Sequence, residues 1–169
     1  ILYVGNFSPH KNLKRLVLAY RLLADHLKEE YSLVLGGGKT ETLGIRDAES
    51  LICIPRIDEE DLPALYSGAE LFVFPSLYEG FGFPPLEAMA CGCPVASSNA
   101  SSLPEVLGEA ALFFDPCQIE EISSAIRRML EDEDLKNAFR QKGLERARLF
   151  TPEKMARELL SVFESVWGN

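Results

Sequence analysis

Two glutamates flank a turn rich in glycine and proline in the middle of the chain. Glu79 and Glu87 are separated by seven residues, which include two spaced glycines and the pair Pro84-Pro85. Glycine lets a backbone approach a ligand closely, and a proline pair favours the start of a helix, whose free amides and dipole attract an anion. Because phosphate repels carboxylates, we expect both glutamates to accept hydrogen bonds from hydroxyl groups, as acidic residues do from ribose in dinucleotide folds. The segment predicts a site for a ligand that carries phosphate and sugar.

Each glutamate taken alone has a simpler interpretation. Glu79 would cap a turn, and Glu87 would complement the helix dipole, a contribution of about 0.3–1 kcal/mol. The combination with the glycines, the prolines and the small-residue turn Ala90-Cys91-Gly92 favours the functional interpretation.

Other patterns that carry chemistry are incomplete. The run Gly36–Thr40 is similar to a phosphate-binding P-loop, but that motif requires a glycine where Leu33 stands. We predict instead a flexible connection that runs to about Ser50. The turn Gly5-Asn6-Phe7-Ser8 lacks the glycine spacing of a dinucleotide fold, and no G-x-S-x-G nucleophile motif occurs.

Metal chemistry is not indicated by the residue types or their spacing. The 4 cysteines lack the repeated spacing of a zinc site, and the 2 histidines are distant from them in sequence. We interpret the cysteines as reduced thiols of a cytosolic protein and predict no metal site.

Short apolar runs alternate with helical patterns, as in repeated βα units on a parallel sheet. The runs are continuous, which is typical of strands covered by helices on both faces. The predicted strands are Ile1–Val4, Ser32–Leu35, Leu51–Ile54, Leu71–Phe74, Pro94–Ser97 and Ala111–Phe114. The fold class is therefore α/β, with a Rossmann-like parallel sheet of about six strands.

Helices are predicted from apolar stripes and from start signals. One helix carries the stripe from Leu13 to Leu27, and another begins at Pro84. In the last helix, Thr151 is the N-cap and Pro152 the first residue; its apolar face is expected to pack against the sheet, or else on a missing part of the molecule. Further helices are predicted at Glu59–Ser67, Leu103–Leu107, Ile119–Leu130 and Leu135–Leu149.

The composition is that of a single soluble globular domain. The chain has 169 residues, 47% of them hydrophobic and 25% charged, and a formal charge of −9, which argues against nucleic acid as a partner. Residues 1–30 nevertheless carry five basic and three acidic side chains, a balance of +2. An anionic ligand is therefore expected near this segment. No apolar stretch is long enough for a transmembrane segment.

The segment Glu79–Glu87 and its flanks resemble the C-terminal domain of the retaining glycosyltransferases of family 4, also called glycosyl transferases group 1. The resemblance covers nearly the whole chain. Supporting matches are Val4-Gly5 before Pro9–Asn12, Ser67–Leu71 before Phe74–Ser76, and Pro94-Val95 with Leu103–Val106. It implies the C-terminal half of a GT-B fold, with 1–169 as a single donor-binding domain of a longer chain whose N-terminal acceptor domain is absent.

The resemblance also implies the site. Glu79 and Lys11 would be catalytic, Glu79 by contacting the donor sugar and Lys11 by neutralising the diphosphate leaving group. Glu87 would bind the ribose. Arg56 lies where the family places its nucleobase, but an ordinary surface arginine is an equally good interpretation of that position. The implied donor-binding residues are Gly5, Asn6, Lys11, Arg56, Gly80, Phe81, Gly82, Phe83 and Glu87.

One position departs from the family pattern. Many members carry an arginine after the glycine of the first strand, where this chain has Asn6. Asparagine donates hydrogen bonds but supplies no charge. Either another cation assists Lys11, or stabilisation of the leaving group is weaker.

The expected function is transfer of a hexose from a nucleotide-diphosphate sugar, GDP-mannose or a UDP-sugar, with retention, in polysaccharide biosynthesis. The expected partners are the donor, the missing N-terminal domain and an acceptor glycan or lipid-linked sugar, with no cofactor. The protein is expected to be cytoplasmic, or peripheral to the membrane through the missing domain, and the isolated domain to be inactive. The alternatives are a non-catalytic nucleotide or sugar-phosphate binding module of the same fold, or another GT-B-like enzyme such as an epimerase.

Overall fold

A sheet of six parallel strands forms the centre of the molecule in the computed structural model, which describes residues 1–39, 44 and 51–167. Each predicted strand is present, and each observed boundary lies within one residue of the prediction. The strands are β1 (Leu2–Val4), β2 (Leu33–Gly36), β3 (Leu51–Ile54), β4 (Phe72–Phe74), β5 (Val95–Ser98) and β6 (Ala111–Phe114). Most of the connection predicted to run to Ser50 lies outside the described residues.

The strand order across the sheet is β3-β2-β1-β4-β5-β6, with every pairing parallel. Strands β1 to β3 follow one another toward one edge of the sheet, and strands β4 to β6 follow one another toward the opposite edge. Parallel crossovers are right-handed, so the two sets of helices cover opposite faces of the sheet. The neighbours β1 and β4 thus form the point where the winding reverses, and ligand sites of such sheets typically lie beyond the carboxyl ends of the strands at this point.

Eight α-helices are described around the sheet, and single 3-10 turns at Pro9–Lys11, Glu59–Asp61 and Gly108–Ala110 precede helices or strands. The first helix contacts the sixth, the fourth contacts the third and the seventh, and the sixth contacts the seventh. The helices are α1 (Leu13–Arg21), α2 (Asp25–Glu30), α3 (Leu62–Gly68), α4 (Phe83–Ala90), α5 (Leu103–Leu107), α6 (Ile119–Glu131), α7 (Glu133–Ala147) and α8 (Pro152–Trp167).

The single helix predicted over the stripe from Leu13 to Leu27 is wrong, because the chain forms α1 and α2 with a break between them. Ala24 has extended dihedral angles, with φ −60° and ψ 150°. Leu23 and Leu27 remain buried on both sides of the break. The apolar periodicity therefore predicted correctly which residues are buried. It could not predict the break, because both helices turn the same face toward the core.

The last helix begins as predicted, but its predicted packing against the sheet is wrong. The Thr151 hydroxyl accepts a hydrogen bond from the Lys154 amide at 3.2 Å, which fits its role as N-cap. Helix α8 buries none of its residues, and Trp167 is 82% exposed. Other helices already cover both faces of the sheet, which leaves the apolar face of α8 in solvent.

No helix within 1–39, 44 and 51–167 is both long enough and apolar enough to cross a membrane.

Candidate functional site

The loops that follow β1 and β4 are joined to each other at the point where the winding reverses. The Leu77 amide donates to the His10 carbonyl at 2.8 Å. The buried amide group of Asn12 donates to the carbonyls of Pro75, at 3.0 Å, and Pro116, at 2.7 Å. Asn12 has φ 60°, a left-handed conformation that asparagine tolerates better than most residues. These bonds fix the distance between the two loops.

Lys11 and Glu79 meet across this junction. The Lys11 Nζ atom lies 2.6 Å from Glu79 Oε1, and the two side chains are only 12% and 13% exposed. The ammonium group also lies 5.4 Å from the centroid of the Phe74 ring, within range of a cation–π interaction. The structure therefore places the two residues predicted to be catalytic in direct contact.

The backbone at Glu79 is held by two hydroxyl groups from the turn between β5 and α5. The Ser101 hydroxyl donates to the Glu79 carbonyl at 2.6 Å, and the Ser102 hydroxyl lies 3.0 Å from the same oxygen and 2.9 Å from the Phe81 carbonyl. Neither serine was predicted from the sequence as a site residue. Their position just after a predicted strand was the available signal, since ligand sites of α/β sheets lie beyond the carboxyl ends of strands.

Helix α4 begins at Phe83, one residue before the predicted start. Pro84 and Pro85 are then its second and third residues, and neither has an N–H group. The first four amide positions at a helix start, here residues 82–85, have no hydrogen-bond partner within the helix. Because two of these residues are prolines, only the amides of Gly82 and Phe83 are free to donate. The start of the helix therefore presents two free amides, at Gly82 and Phe83, and the anion site expected there stays a prediction.

Position 82 of this turn requires glycine, because of both its backbone conformation and the space around it. Its φ is +116°, and a Cβ atom there would lie 2.8 Å from Leu103 Cδ2. Gly80 is exposed, whereas Phe81 is half-buried, with its ring 4.8 Å from Phe83 and 5.7 Å from Phe150 between centroids. Phe83 itself is 65% exposed. The turn is thus anchored through Phe81 and open at Gly80 and Phe83.

Gly5 and Asn6 form the other wall, at the end of β1. Gly5 has φ +151°, and a Cβ atom would lie 2.6 Å from the Tyr3 hydroxyl oxygen. That hydroxyl donates to the Asn6 carbonyl at 2.9 Å. Burial, and secondarily the charge of Glu79, raise the pKa of Tyr3, so the hydroxyl stays protonated. The Asn6 side-chain oxygen accepts from the Ser8 amide at 3.1 Å, which leaves its Nδ2 group as the part suited to a phosphate oxygen.

Glu87 lies on the exposed side of α4, where it accepts a hydrogen bond from the Tyr66 hydroxyl at 2.9 Å. The two residues line an open cleft of about 470 Å³ between α3 and α4. Glu59, Leu62, Pro63, Ala90 and Cys91 complete the lining. The partner of Glu87 is thus a neutral hydroxyl group, whereas the partner of Glu79 is the charged ammonium group of Lys11.

Arg56 lies at the end of the edge strand β3, two strands away from β1. Its side chain is 88% exposed and its Nε atom lies 3.3 Å from Asp58 Oδ1. The structure does not bring Arg56 against the Lys11–Glu79 pair, so its assignment to a nucleobase stays a prediction.

Within the described ranges, no group of three or more His, Cys, Asp or Glu side chains is arranged to hold a metal ion. The expectation that the reaction needs neither a metal nor another cofactor stays a prediction.

The family model described as glycosyl transferases group 1 matches residues 1–146. The chain belongs to this family. The resemblance found in the sequence is thereby confirmed at the level of the family.

Two curated relatives from Escherichia coli are mannosyltransferases by name. The O-antigen chain mannosyltransferase B is 37% identical, with 96% of this chain and 45% of that protein covered. The serotype-specific mannosyltransferase WbdA is 42% identical, with 79% of this chain and 18% of that protein covered. The chain thus spans less than half the length of either relative.

The solved structure of sucrose-phosphate synthase from Thermosynechococcus elongatus superposes with a TM-score of 0.83 at 29% identity. The superposition covers 99% of this chain and 45% of that one. The neighbouring structures are GT-B glycosyltransferases, and the chain has the fold of one Rossmann-like half of such an enzyme.

Proposed function

We propose that this chain is the donor-binding domain of a glycosyltransferase that transfers a hexose, with retention, from a nucleotide-diphosphate sugar to an acceptor. The observation that carries the proposal is the contact between Lys11 Nζ and Glu79 Oε1 at 2.6 Å, between the loops that follow the neighbouring strands β1 and β4. A cation and a carboxylate at this point match a ligand that carries both a diphosphate and sugar hydroxyls. The mannosyltransferase relatives favour GDP-mannose over a UDP-sugar as the donor.

In this proposal, Lys11 neutralises the charge that develops on the departing diphosphate, and amides of the turn from Gly80 to Phe83 donate to sugar and phosphate oxygens. Groups that are already oriented toward developing charge stabilise a transition state without reorganisation. The hydrogen bonds from Ser101 and Ser102 hold the backbone of this turn in place before the donor arrives. Asn6 adds a neutral donor through Nδ2.

Glu79 orients the donor sugar by accepting hydrogen bonds from its hydroxyl groups. In the described structure Glu79 is paired with Lys11, so the donor exchanges this ion pair for two new contacts, diphosphate with Lys11 and sugar with Glu79. The exchange keeps both charges compensated, which matters because both side chains are nearly buried. No metal ion or organic cofactor takes part in the proposed reaction.

Glu87 binds the ribose hydroxyls from α4, and Arg56 contacts the base. The acceptor, a glycan or a lipid-linked sugar, is proposed to bind mainly to a separate N-terminal domain of the whole enzyme, so residues 1–169 alone are expected to be inactive. We place the whole enzyme in the cytoplasm, where its peripheral attachment to the membrane would run through that other domain.

Calorimetric titration with GDP and UDP tests donor binding, and transfer from GDP-mannose by the full-length protein tests activity. Binding together with transfer supports the proposal. Nucleotide binding without transfer by the full-length protein would indicate a binding module instead. If neither GDP nor UDP binds, both functions are contradicted.

A further inference from the structure

We propose that Tyr66 is a positioning residue for the nucleotide, which holds the Glu87 carboxylate in the orientation that receives the ribose hydroxyls. This inference rests on the proposed function of Glu87. Tyr66 lies on a different helix and would touch no part of the donor's sugar or diphosphate.

The hydrogen bond joins a fixed group to a mobile one. Tyr66 is 1% exposed, and its ring packs edge-on against Phe72 of β4 with 5.5 Å between ring centroids. Its hydroxyl is therefore as fixed as the sheet. Glu87 lies on the exposed side of α4, where a long side chain loses rotamer freedom when a ligand immobilises it. Tyr66 imposes that restriction before the ligand binds.

In this hydrogen bond the Tyr66 hydroxyl is the donor and the Glu87 carboxylate is the acceptor. Burial, together with the nearby Glu87 charge, raises the pKa of Tyr66, so its hydroxyl is protonated at neutral pH and donates to Glu87 Oε2. A carboxylate offers about four lone-pair positions, of which Tyr66 occupies one. Enough capacity remains for two neighbouring hydroxyls of a ribose.

The orienting bond comes from a neutral group, which distinguishes it from the pair between Lys11 and Glu79. A second cation at Glu87 would compete with the ligand for the carboxylate charge. A phenol orients the carboxylate and leaves that charge in place. The cleft between α3 and α4 that both residues line gives the ribose access to Glu87.

The test is a titration of the Tyr66→Phe variant with GDP and with 2′,3′-dideoxy-GDP, which lacks the ribose hydroxyls. We expect the affinity for GDP to fall about fivefold, the effect of one ordinary hydrogen bond. The affinity for the dideoxy nucleotide is expected to stay within about 1.5-fold of the wild type. A merely structural defect at Tyr66 would weaken both nucleotides equally.

Tyr20→Phe is the matched control. The Tyr20 ring is also 1% exposed, and its hydroxyl donates to the Tyr31 carbonyl at 2.8 Å, away from the site. This variant loses a comparable buried hydrogen bond and is expected to bind both nucleotides normally. Titration near 15 °C, where domains are typically close to maximal stability, keeps both variants folded.

The outcomes separate this inference from the proposed function. Equal weakening of GDP and the dideoxy nucleotide by Tyr66→Phe, or no weakening of either, overturns the inference. If Glu87→Ala lowers the affinity for GDP while Tyr66→Phe does not, only the inference fails. If wild-type protein binds neither GDP nor UDP, the proposed function fails and the inference with it.

Discussion

Glu79 and Glu87 are the same residue type on one short segment, yet the fold gives them opposite surroundings. Glu79 is on a loop, nearly buried, and paired with the ammonium group of Lys11 at 2.6 Å. Glu87 is on a helix, exposed, and accepts from the neutral Tyr66 hydroxyl at 2.9 Å. The loop glutamate has its charge compensated within the protein, whereas the helical glutamate keeps its charge available.

This difference indicates a division of labour. A ligand that reaches Glu79 must replace the ion pair between Lys11 and Glu79 with its own contacts. Such contacts are suited to the transition state, in which charge develops on the leaving group. A ligand that reaches Glu87 adds to a hydrogen bond that stays in place, so contacts there are suited to steady binding. The comparison predicts that one glutamate controls turnover and the other affinity.

The largest effect is expected from Glu79→Ala. Removal of the carboxylate that orients the sugar should lower the rate of hexose transfer by the full-length enzyme about 100-fold, since misplaced reactants cost on this order. The affinity for GDP should change by less than about threefold, because Lys11 remains and gains freedom to pair with diphosphate. Transfer assays and calorimetry measure the two quantities.

A Glu79→Gln variant serves as the conservative control, since it keeps the hydrogen-bonding shape and removes the charge. It should recover part of the lost rate. If Glu79→Ala instead weakens GDP binding as strongly as it lowers the rate, the contrast between the two glutamates is wrong.

Lys11→Met should produce the next largest effect. The side chain keeps its length but loses the charge, so the affinity for GDP is expected to fall about 30-fold, in the range for a hydrogen bond to a charged group. Guanosine, which lacks phosphate, should bind as it does to the wild type. Isothermal titration with both ligands tests this.

Lys14→Met is the matched control for Lys11, because Lys14 is an exposed lysine on α1 three residues along the chain. It should bind GDP with unchanged affinity. An equal loss in both variants would mean that general positive charge, and not the ammonium group beside Glu79, attracts the nucleotide.

Glu87→Ala should lower the affinity for GDP about tenfold, because two hydroxyl hydrogen bonds are lost while their groups return to water. The rate of transfer at saturating donor should change little. Glu120→Ala, which removes an exposed carboxylate from the first turn of α6, is the control and should have no effect. Unchanged binding in Glu87→Ala would contradict the ribose assignment.

The sequence predicted the strands well because continuous burial on both faces leaves a strong local pattern. Phe72, Val73 and Phe74 of β4 are all fully buried, and their apolar run is unbroken. The order of the strands was not predicted, since it depends on contacts between residues far apart in the chain. The break at Ala24 was missed because the buried stripe continues across it.

The candidate site shows the same limit more sharply. The glycine turn and its two glutamates were visible as a local motif, but Lys11 and Glu79 are 68 positions apart, and only the family resemblance placed them in one site. The hydrogen bond between Tyr66 and Glu87 had no sequence signal, because Tyr66 fits a helix face that packs on the core. Side chains that act by holding another residue leave no pattern of their own.

The smallest expected effect comes from Ser102→Ala, which tests why the backbone at the loop glutamate needs support from hydroxyl groups that the backbone at the helical glutamate does not need. A helix fixes Glu87 through its own backbone, whereas the backbone of the turn at Glu79 and Phe81 depends on hydroxyl groups from the next turn. Loss of the Ser102 hydroxyl should lower the free energy of unfolding by about 1 kcal/mol and the transfer rate about threefold, with GDP affinity unchanged.

Ser67→Ala is the control, because it removes a hydroxyl that donates to the Pro63 carbonyl within one helix. It should change neither the free energy of unfolding nor the transfer rate measurably, because such bonds add little to stability. Thermal unfolding and transfer assays decide the case, and an equal effect of the two substitutions would mean that the turn holds Glu79 without help from Ser102.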